Sequence, residues 1–459
     1  MPWGRLNDVA GGFASFGAHE RCAIARHVDE GNIVAVRAGQ AIRRGELARD
    51  VAALASRLPD REYVINLCTD RYRFIVGLAA ALCRGQITLL PPGNTSGVLR
   101  SIAEDHPNVY TLAEAVHSAL PSFVYPDCLE QNLSVMDVPV VPAEQTALIL
   151  FTSGSTGRPK PVRKSWGTLV RSVLAAGTRL GVTRLPGATV IGTVPHQHSY
   201  GLESTVLLGL QFGLVIDADG LFFPGDIRAA IEATAGPRIL VTTPIHLRAL
   251  VAEPDGMPRV DLILSATAPL SVELAAQAEA CFNARLIEIY GCTEAGQIAT
   301  RRTVADEDWR CLDGVALYGG PDCTYAVGAA VEGTALLQDV IRPTGAATFR
   351  LGGRSADLVD VAGKRTSLAH LNHQLLGIDG VTDGVFIMPE PNGRPVIRLA
   401  AVAVAPGLTR KAILQALRER IDAAFLPRPL VVVEALPRNA LGKAPREALL
   451  ELVRRWPGD

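Results

Sequence analysis

The run Leu148-Ile149-Leu150-Phe151-Thr152-Ser153-Gly154-Ser155-Thr156-Gly157-Arg158-Pro159-Lys160 constrains this chain more than any other stretch. An apolar segment with strand character empties into small hydroxyl residues and glycines, and a lysine closes the loop. Side chains without bulk let successive backbone N–H groups turn toward one point, a concavity suited to phosphate oxygens. The Ser and Thr hydroxyls add donors, and Lys160 adds a full positive charge. The spacing is neither the dinucleotide pattern G-x-G-x-x-G nor the Walker pattern, because no Ser or Thr follows Lys160. A plain Gly/Ser turn after a strand would need neither the threonines flanking the Ser-Gly-Ser core nor the lysine behind Pro159.

A loop of this kind at the carboxyl end of a strand belongs to an open α/β sheet, where binding groups collect. The surrounding chain reads the same way. Apolar spacing predicts a helix over Ile42 to Leu58, a strand over Tyr63 to Leu67, a helix over Arg71 to Cys83 and a strand over Ile87 to Leu90. Helices are predicted over Leu99 to Glu104 and Leu112 to Leu120. After the loop come a helix over Ser165 to Leu180 and strands over Ala188 to Val194, Leu214 to Ile216, Arg238 to Thr242, Leu262 to Leu264 and Leu286 to Tyr290. Helical stretches such as Asp226 to Ala235 and Val272 to Phe282 separate them, and this alternation predicts parallel sheets covered on both faces. Beyond Gly353 the pattern changes. Short strands over Leu358 to Val361, Gly384 to Met388, Val396 to Val404 and Leu430 to Leu436 surround a helix over Arg410 to Ala424, with a turn at Asn392-Gly393. A chain of 459 residues exceeds one ordinary core, so the large α/β part and this smaller α+β part are expected to be separate domains.

A formal charge of −1 leaves no basic footprint for nucleic acid. No run approaches the ~18 apolar residues of a membrane span, and Met1 to Glu20 lacks a continuous apolar segment behind a basic start, so no secretory signal is expected. The eight cysteines include no C-x-x-C pair and read as reduced thiols of a cytoplasmic protein without a zinc site. Basic residues are nearly all arginine; the lysines are Lys160, Lys164, Lys364, Lys411 and Lys443. A compact ammonium can follow a moving phosphate, which a planar guanidinium cannot replace geometrically.

Further motifs follow in order: Pro195-His196-Gln197-His198-Ser199-Tyr200-Gly201, Ser265-Ala266-Thr267-Ala268-Pro269-Leu270, Tyr290-Gly291-Cys292-Thr293-Glu294, Asp339 with Arg354, and Pro437-Arg438-Asn439-Ala440-Leu441-Gly442-Lys443. Taken singly, His198 reads equally as a hydrogen-bonded loop histidine, the second motif as a helix start capped by Thr267 or Ser271, and Lys443 as a solvated surface lysine. Together, and in this order along nearly the whole chain, they resemble the acyl-adenylate-forming superfamily of acyl-CoA synthetases, aryl acid ligases, peptide-synthetase adenylation domains and luciferases.

The resemblance implies a large N-terminal domain over 1–352 that binds ATP and the acid, a hinge over 353–357, and a small mobile α+β domain over 358–459. It implies a nucleotide site built from Thr152, Ser153, Gly154, Ser155, Thr156, Gly157, Lys160, Thr267, Ala268, Pro269, Tyr290, Gly291, Asp339 and Arg354. Thr293 would lie near the α-phosphate. Glu294 would hold Mg²⁺, which prefers oxygen and is commonly bound by a carboxylate plus substrate phosphates. His198, Tyr200, Ser204, Gly291 and Ile298 would line the acid site, an aromatic wall and a hydroxyl that suit a hydroxylated aromatic acid. Lys443 would bridge the attacking carboxylate and the α-phosphate. The chain departs from the family where Leu337-Gln338 replaces the usual Thr-Gly before the ribose aspartate, and where Ala356, with Asp357 beside it, takes the hinge position.

The implied reaction has two steps: a carboxylate attacks MgATP to give an acyl-adenylate and pyrophosphate, then a phosphopantetheine thiol takes the acyl group and AMP leaves. The compact chain also resembles stand-alone ligases of aryl-polyene and xanthomonadin pigment biosynthesis, which load hydroxybenzoate (4-hydroxybenzoate for example) on an acyl carrier protein. The alternatives are an aryl- or medium-chain acyl-CoA synthetase using coenzyme A, and a non-catalytic nucleotide-binding sensor, which the changes at 337–338 and 356 keep open.

Overall fold

A computed structural model describes residues 19–27, 29–117, 119–129, 137–152, 160–221, 223–253, 256–320, 323–354, 358–361, 364–389, 398–439 and 444–456, with the side chains of 152, 353–354, 358–361, 364–367 and 369–370 left out. The chain divides into two compact units, one over 4–318 and 325–336 and one over 337–459 together with 1–3 and 319–324.

In the first unit the predicted alternation becomes two sheets. The six-stranded sheet runs in the order Lys160–Ser165, Thr146–Thr152, Ile87–Leu90, Tyr63–Asn66, Val109–Ala113, Ser122–Val124. All its neighbours are parallel except the hairpin between Thr146–Thr152 and Lys160–Ser165. The second sheet carries parallel neighbours Arg285–Cys292, Leu262–Ser265, Arg238–Thr242, Thr189–Gly192, Val215–Asp217 and Ile33–Arg37, flanked on one side by antiparallel Gln40–Arg43 and on the other by antiparallel Gly296–Arg301, which pairs in turn with Trp309–Cys311. Helices Arg44–Ala55, Arg71–Cys83 and Trp166–Leu180 put Leu47, Val51, Phe74, Leu169 and Val173 into a core shared with Leu90 and Leu148 of one sheet and Val190 and Leu264 of the other. Each such side chain removed from water contributes about 2 kcal/mol. Helix Trp166–Leu180 starts where Ser165 accepts the Thr168 N–H and stops where Gly181 turns left-handed at φ 75°, a glycine terminus that satisfies the last carbonyls.

The helix expected over Leu112 to Leu120 is instead a strand, Val109–Ala113, followed by a second, Ser122–Val124. Every residue of Val109–Ala113 is buried between neighbours, so it shows no alternation, and a short apolar run of that kind carries no periodicity to separate strand from helix.

In the second unit a three-stranded sheet, Asp383–Ile387, Ala400–Val404 and Leu430–Val432, packs Phe386 and Ala401 against helix residues Ile413 and Leu417 on one face, and Val402 against Leu449 and Leu450 on the other. The helix expected to reach Ala424 ends at Arg418, because Asp422 accepts the Ala424 N–H and caps a separate turn, Ala423–Phe425. The expected Asn392-Gly393 turn lies outside the described residues.

Candidate active site

Strands Thr146–Thr152 and Lys160–Ser165 pair with Lys160 opposite Thr152, so the glycine-hydroxyl loop is carried between the two arms of a hairpin. Leu148, Ile149 and Leu150 hold one arm in the core, while Lys160 is exposed. Ser153, Gly154, Ser155, Thr156 and Gly157 lie outside the described residues.

The Tyr290-to-Glu294 motif is also a hairpin. Arg285–Cys292 returns through a turn over 293–295 into Gly296–Arg301, with a bulge between Tyr290 and Gly291. Tyr290 is buried with its ring 5.6 Å from that of Trp309, over which the Arg301 guanidinium lies at 4.5 Å. Thr293 and Glu294 are half-buried at the turn.

These two hairpins are joined by a residue that the sequence analysis did not assign. Lys164, four positions after Lys160 on the same strand, is 1% exposed, and its ammonium donates to the backbone carbonyl of Glu294 at 2.7 Å. Glu203, 2% exposed, comes from a π-helical stretch over Leu202–Leu207. Its carboxylate accepts from Ser199 Oγ at 2.7 Å, Ser172 Oγ at 3.3 Å and the Gln297 N–H at 3.4 Å. Burial pushes the Lys164 ammonium down and the Glu203 carboxyl up, and the charge of each opposes the other's shift, as expected when desolvation competes with an opposite charge. Glu332 accepts at 2.9 Å from both the N–H and the Oγ of Ser165, the next residue. The signal in the sequence was the rarity of lysine; nothing there tied it to Glu294.

The histidine loop leaves strand Thr189–Gly192 and is held from below. His196 Nε2 and Gln197 Nε2 both donate to the Cys68 carbonyl, at 3.0 and 2.8 Å, and the His196 ring lies 4.6 Å from Phe74. The buried Arg71 guanidinium donates to the carbonyls of Asp217 and, at 3.0 Å, Gly192. A Cβ on Gly201 would sit 2.0 Å from the Pro195 carbonyl oxygen, so the loop can fold back on itself only with glycine there. His198 sits half-buried at the start of the short helix that follows. Two of the side chains assigned to the acid already have their hydroxyls engaged: Tyr200, expected as an aromatic wall, donates to the Thr242 carbonyl at 3.1 Å, and Ser204, expected to offer its hydroxyl, accepts from Gln297 Nε2 at 3.1 Å. Ser204 and Ile298 are buried.

Burial among Phe74 and Arg71 lowers His196 to about 3. A histidine neutral in the fold but charged when unfolded stabilises fully above the unfolded value near 6.5 and loses that contribution as pH falls toward 3. Between pH 6.5 and 5 the chain is therefore expected to lose about 2 kcal/mol through this residue, and His196→Gln is expected to flatten that part of a denaturant-stability profile. A variant as acid-sensitive as the wild type would remove His196 as the cause.

Strand Leu262–Ser265 leads into Thr267, which has φ 80°. A β-branched residue in that region is a genuine outlier, costing about 1–3 kcal/mol, and it turns the chain through Ala268 and Pro269. Ser271, not Thr267, caps the next helix, accepting the Leu274 N–H at 3.2 Å. In the second unit, Asp339 pairs across a hairpin with Arg354. Arg438 grips Asp383 through two hydrogen bonds of 2.9 and 2.6 Å, anchoring the segment that leads to Lys443. Lys443, Ala356 and Asp357 lie outside the described residues.

Among the described residues no group of three or more His, Cys, Asp or Glu could hold a metal ion, and no helix is long and apolar enough to cross a membrane. Magnesium bound through one carboxylate and substrate phosphates needs no such group, and the half-buried Glu294 on a braced turn fits that mode.

The model of the AMP-binding enzyme family matches residues 36–327. The 4-coumarate–CoA ligase of Rhodobacter capsulatus is 30% identical over 69% of this chain and 79% of its own length. A 4-chlorobenzoate–CoA ligase from an Arthrobacter species is 23% identical over 81% of this chain and 79% of its own. Among solved structures, ATP-bound MatB from Rhodopseudomonas palustris superposes with a TM-score of 0.80 at 18% identity, covering 94% of this chain and 97% of that one.

Proposed function

The chain belongs to the AMP-binding enzyme family, whose AMP-forming acid–thiol ligases use ATP and Mg²⁺, and from that premise we propose that it activates a small aryl acid and passes it to a phosphopantetheine thiol. The observation that carries this is the 2.7 Å bond from Lys164 to the Glu294 carbonyl, which puts the base of the phosphate-loop hairpin against the Tyr290-to-Glu294 turn. That contact supports reading the two motifs as parts of one site, as a shared nucleotide requires.

In this reading Tyr290, held by Trp309, lies against adenine, and the residues of the loop at 153–157 and Lys160 hold the phosphates. Asp339 accepts from the ribose hydroxyls. Glu294 would hold Mg²⁺, which supplies charge neutralisation to the triphosphate. Lys443 reaches the site by rotation of the small domain about Ala356 and Asp357, bridges carboxylate and α-phosphate, and stabilises charge as they join. Both curated relatives named above are ligases of aromatic acids, which supports an aryl substrate. They are also CoA ligases, which favours coenzyme A as acceptor; the resemblance to pigment-pathway ligases favours hydroxybenzoate and an acyl carrier protein.

Pyrophosphate release measured across a panel of benzoates, cinnamates and alkyl acids tests the reading. Hydroxylated aromatic acids are expected to be turned over fastest, and repeating the assay with coenzyme A and with holo carrier protein identifies which consumes the adenylate. ATP binding with no acid-dependent release across the panel would leave the sensor reading in its place.

A further inference from the structure

We propose that Lys164 is a positioning residue whose ammonium, through the Glu294 backbone, sets where the Glu294 carboxylate meets the metal–nucleotide complex. The inference rests on the ligase reading above and adds a residue to it. A turn such as that over 293–295 has no neighbours in its own hairpin to fix its tip, and a carboxylate there is free to swing unless something pins the backbone. Lys164 does so from beneath, with Nζ 2.7 Å from the Glu294 carbonyl oxygen.

The arrangement is costly, which is why it points to a role. Burying an ammonium is costly even after relaxation, and a well-packed apolar residue would serve stability as well or better. Here the cost is offset by a second buried charge, Glu203, itself held by Ser199, Ser172 and the Gln297 N–H. Gln297 stands opposite Gly291 in the hairpin, so the same network grips both arms below the turn. Lys164 also lies on the strand that leaves the glycine-hydroxyl loop, so a single side chain sets the spacing between the phosphate grip and the carboxylate.

The test is metal affinity rather than turnover. Mn²⁺ is titrated by electron paramagnetic resonance onto the full-length protein with a non-hydrolysable ATP analogue, and binding of the analogue without metal is measured in parallel. Lys164→Met is expected to weaken Mn²⁺ binding about tenfold, the usual loss when a group supporting a metal ligand is removed, with metal-free nucleotide binding within about twofold of wild type. Because that variant leaves Glu203 buried without its counter-charge, Lys164→Met with Glu203→Gln is made as well; it balances charge but cannot restore the bond to the carbonyl, and it is expected to show the same tenfold loss. Wild-type Mn²⁺ affinity in the double variant, or equal losses with and without metal, would overturn the proposal by reducing Lys164 to charge balance or to general stability. A wild-type protein that binds no Mn²⁺ in the presence of nucleotide would instead overturn the ligase reading, and this inference with it.

Discussion

Replacing Lys443 by alanine is expected to slow adenylate formation by about a thousandfold while ATP binding stays in place. A preorganised donor aimed at developing charge in a site shielded from water is worth about a hundredfold to a thousandfold in rate, and a full ammonium between two anions belongs at the upper end. Arg438, five residues before Lys443, is clamped on Asp383, the first residue of strand Asp383–Ile387, by two hydrogen bonds. The substitution removes charge from the transition state and leaves the phosphate loop, Tyr290 and Asp339 untouched, so nucleotide affinity should hold. Acyl transfer from a supplied adenylate to the thiol should also survive, since in the proposed mechanism Lys443 acts only in the first step. The check is single-turnover pyrophosphate release beside a nucleotide titration and a transfer assay started from synthetic adenylate. Adenylate formation at the wild-type rate would remove Lys443 from the mechanism; loss of all three activities together would mean a folding defect.

Much of the scaffold around this site could be read from the chain, and the reasons differ by element. The helix after the phosphate loop was legible because Ser165 and Gly181 mark its ends by local hydrogen-bonding chemistry. The strand Val109–Ala113 was not, because burial on every side removes the alternation that identifies a strand. In the site, motif spacing gave the Tyr290-to-Glu294 segment but not its hairpin form, since the bulge at Tyr290 and Gly291 depends on the partner strand. Lys164 and Glu203 were beyond reach for a related reason. Lys164 bonds a backbone carbonyl 130 residues away and Glu203 accepts from a backbone N–H 94 residues away, and backbone partners leave no trace in residue identity. The left-handed Thr267 is similar: its side chain argues against the conformation it adopts, so the strain shows only in the fold.

Gly291→Ala is expected to be a severely damaging change for the addition of a single methyl group. A Cβ at this position would stand 2.3 Å from the carbonyl oxygen of Gly296 and 3.1 Å from the Cα of Gln297. The obstacle is backbone on the facing arm of the hairpin, so no side chain can turn aside to make room. The arms must part by roughly an ångström, and the consequences follow from the contacts already described. Gln297 moves with its strand, drawing its N–H from Glu203, and the Glu294 carbonyl leaves Lys164 Nζ. An ammonium that is 1% exposed then loses its acceptor, and a charged donor left unpaired in the interior costs about 3 kcal/mol or more. The expected result is a stability loss of about 4 kcal/mol in chemical denaturation, in the range reserved for steric and buried-charge defects, with pyrophosphate release falling at least a hundredfold in whatever protein remains folded. Gly97→Ala is the matching control. That glycine lies in helix Ser96–Asp105 with nothing within 4 Å of its would-be Cβ, so alanine there should be neutral or slightly stabilising. If Gly291→Ala unfolds alongside the control and still releases pyrophosphate, the hairpin is free to open, and the bracing of Glu294 by Lys164 loses its mechanical basis.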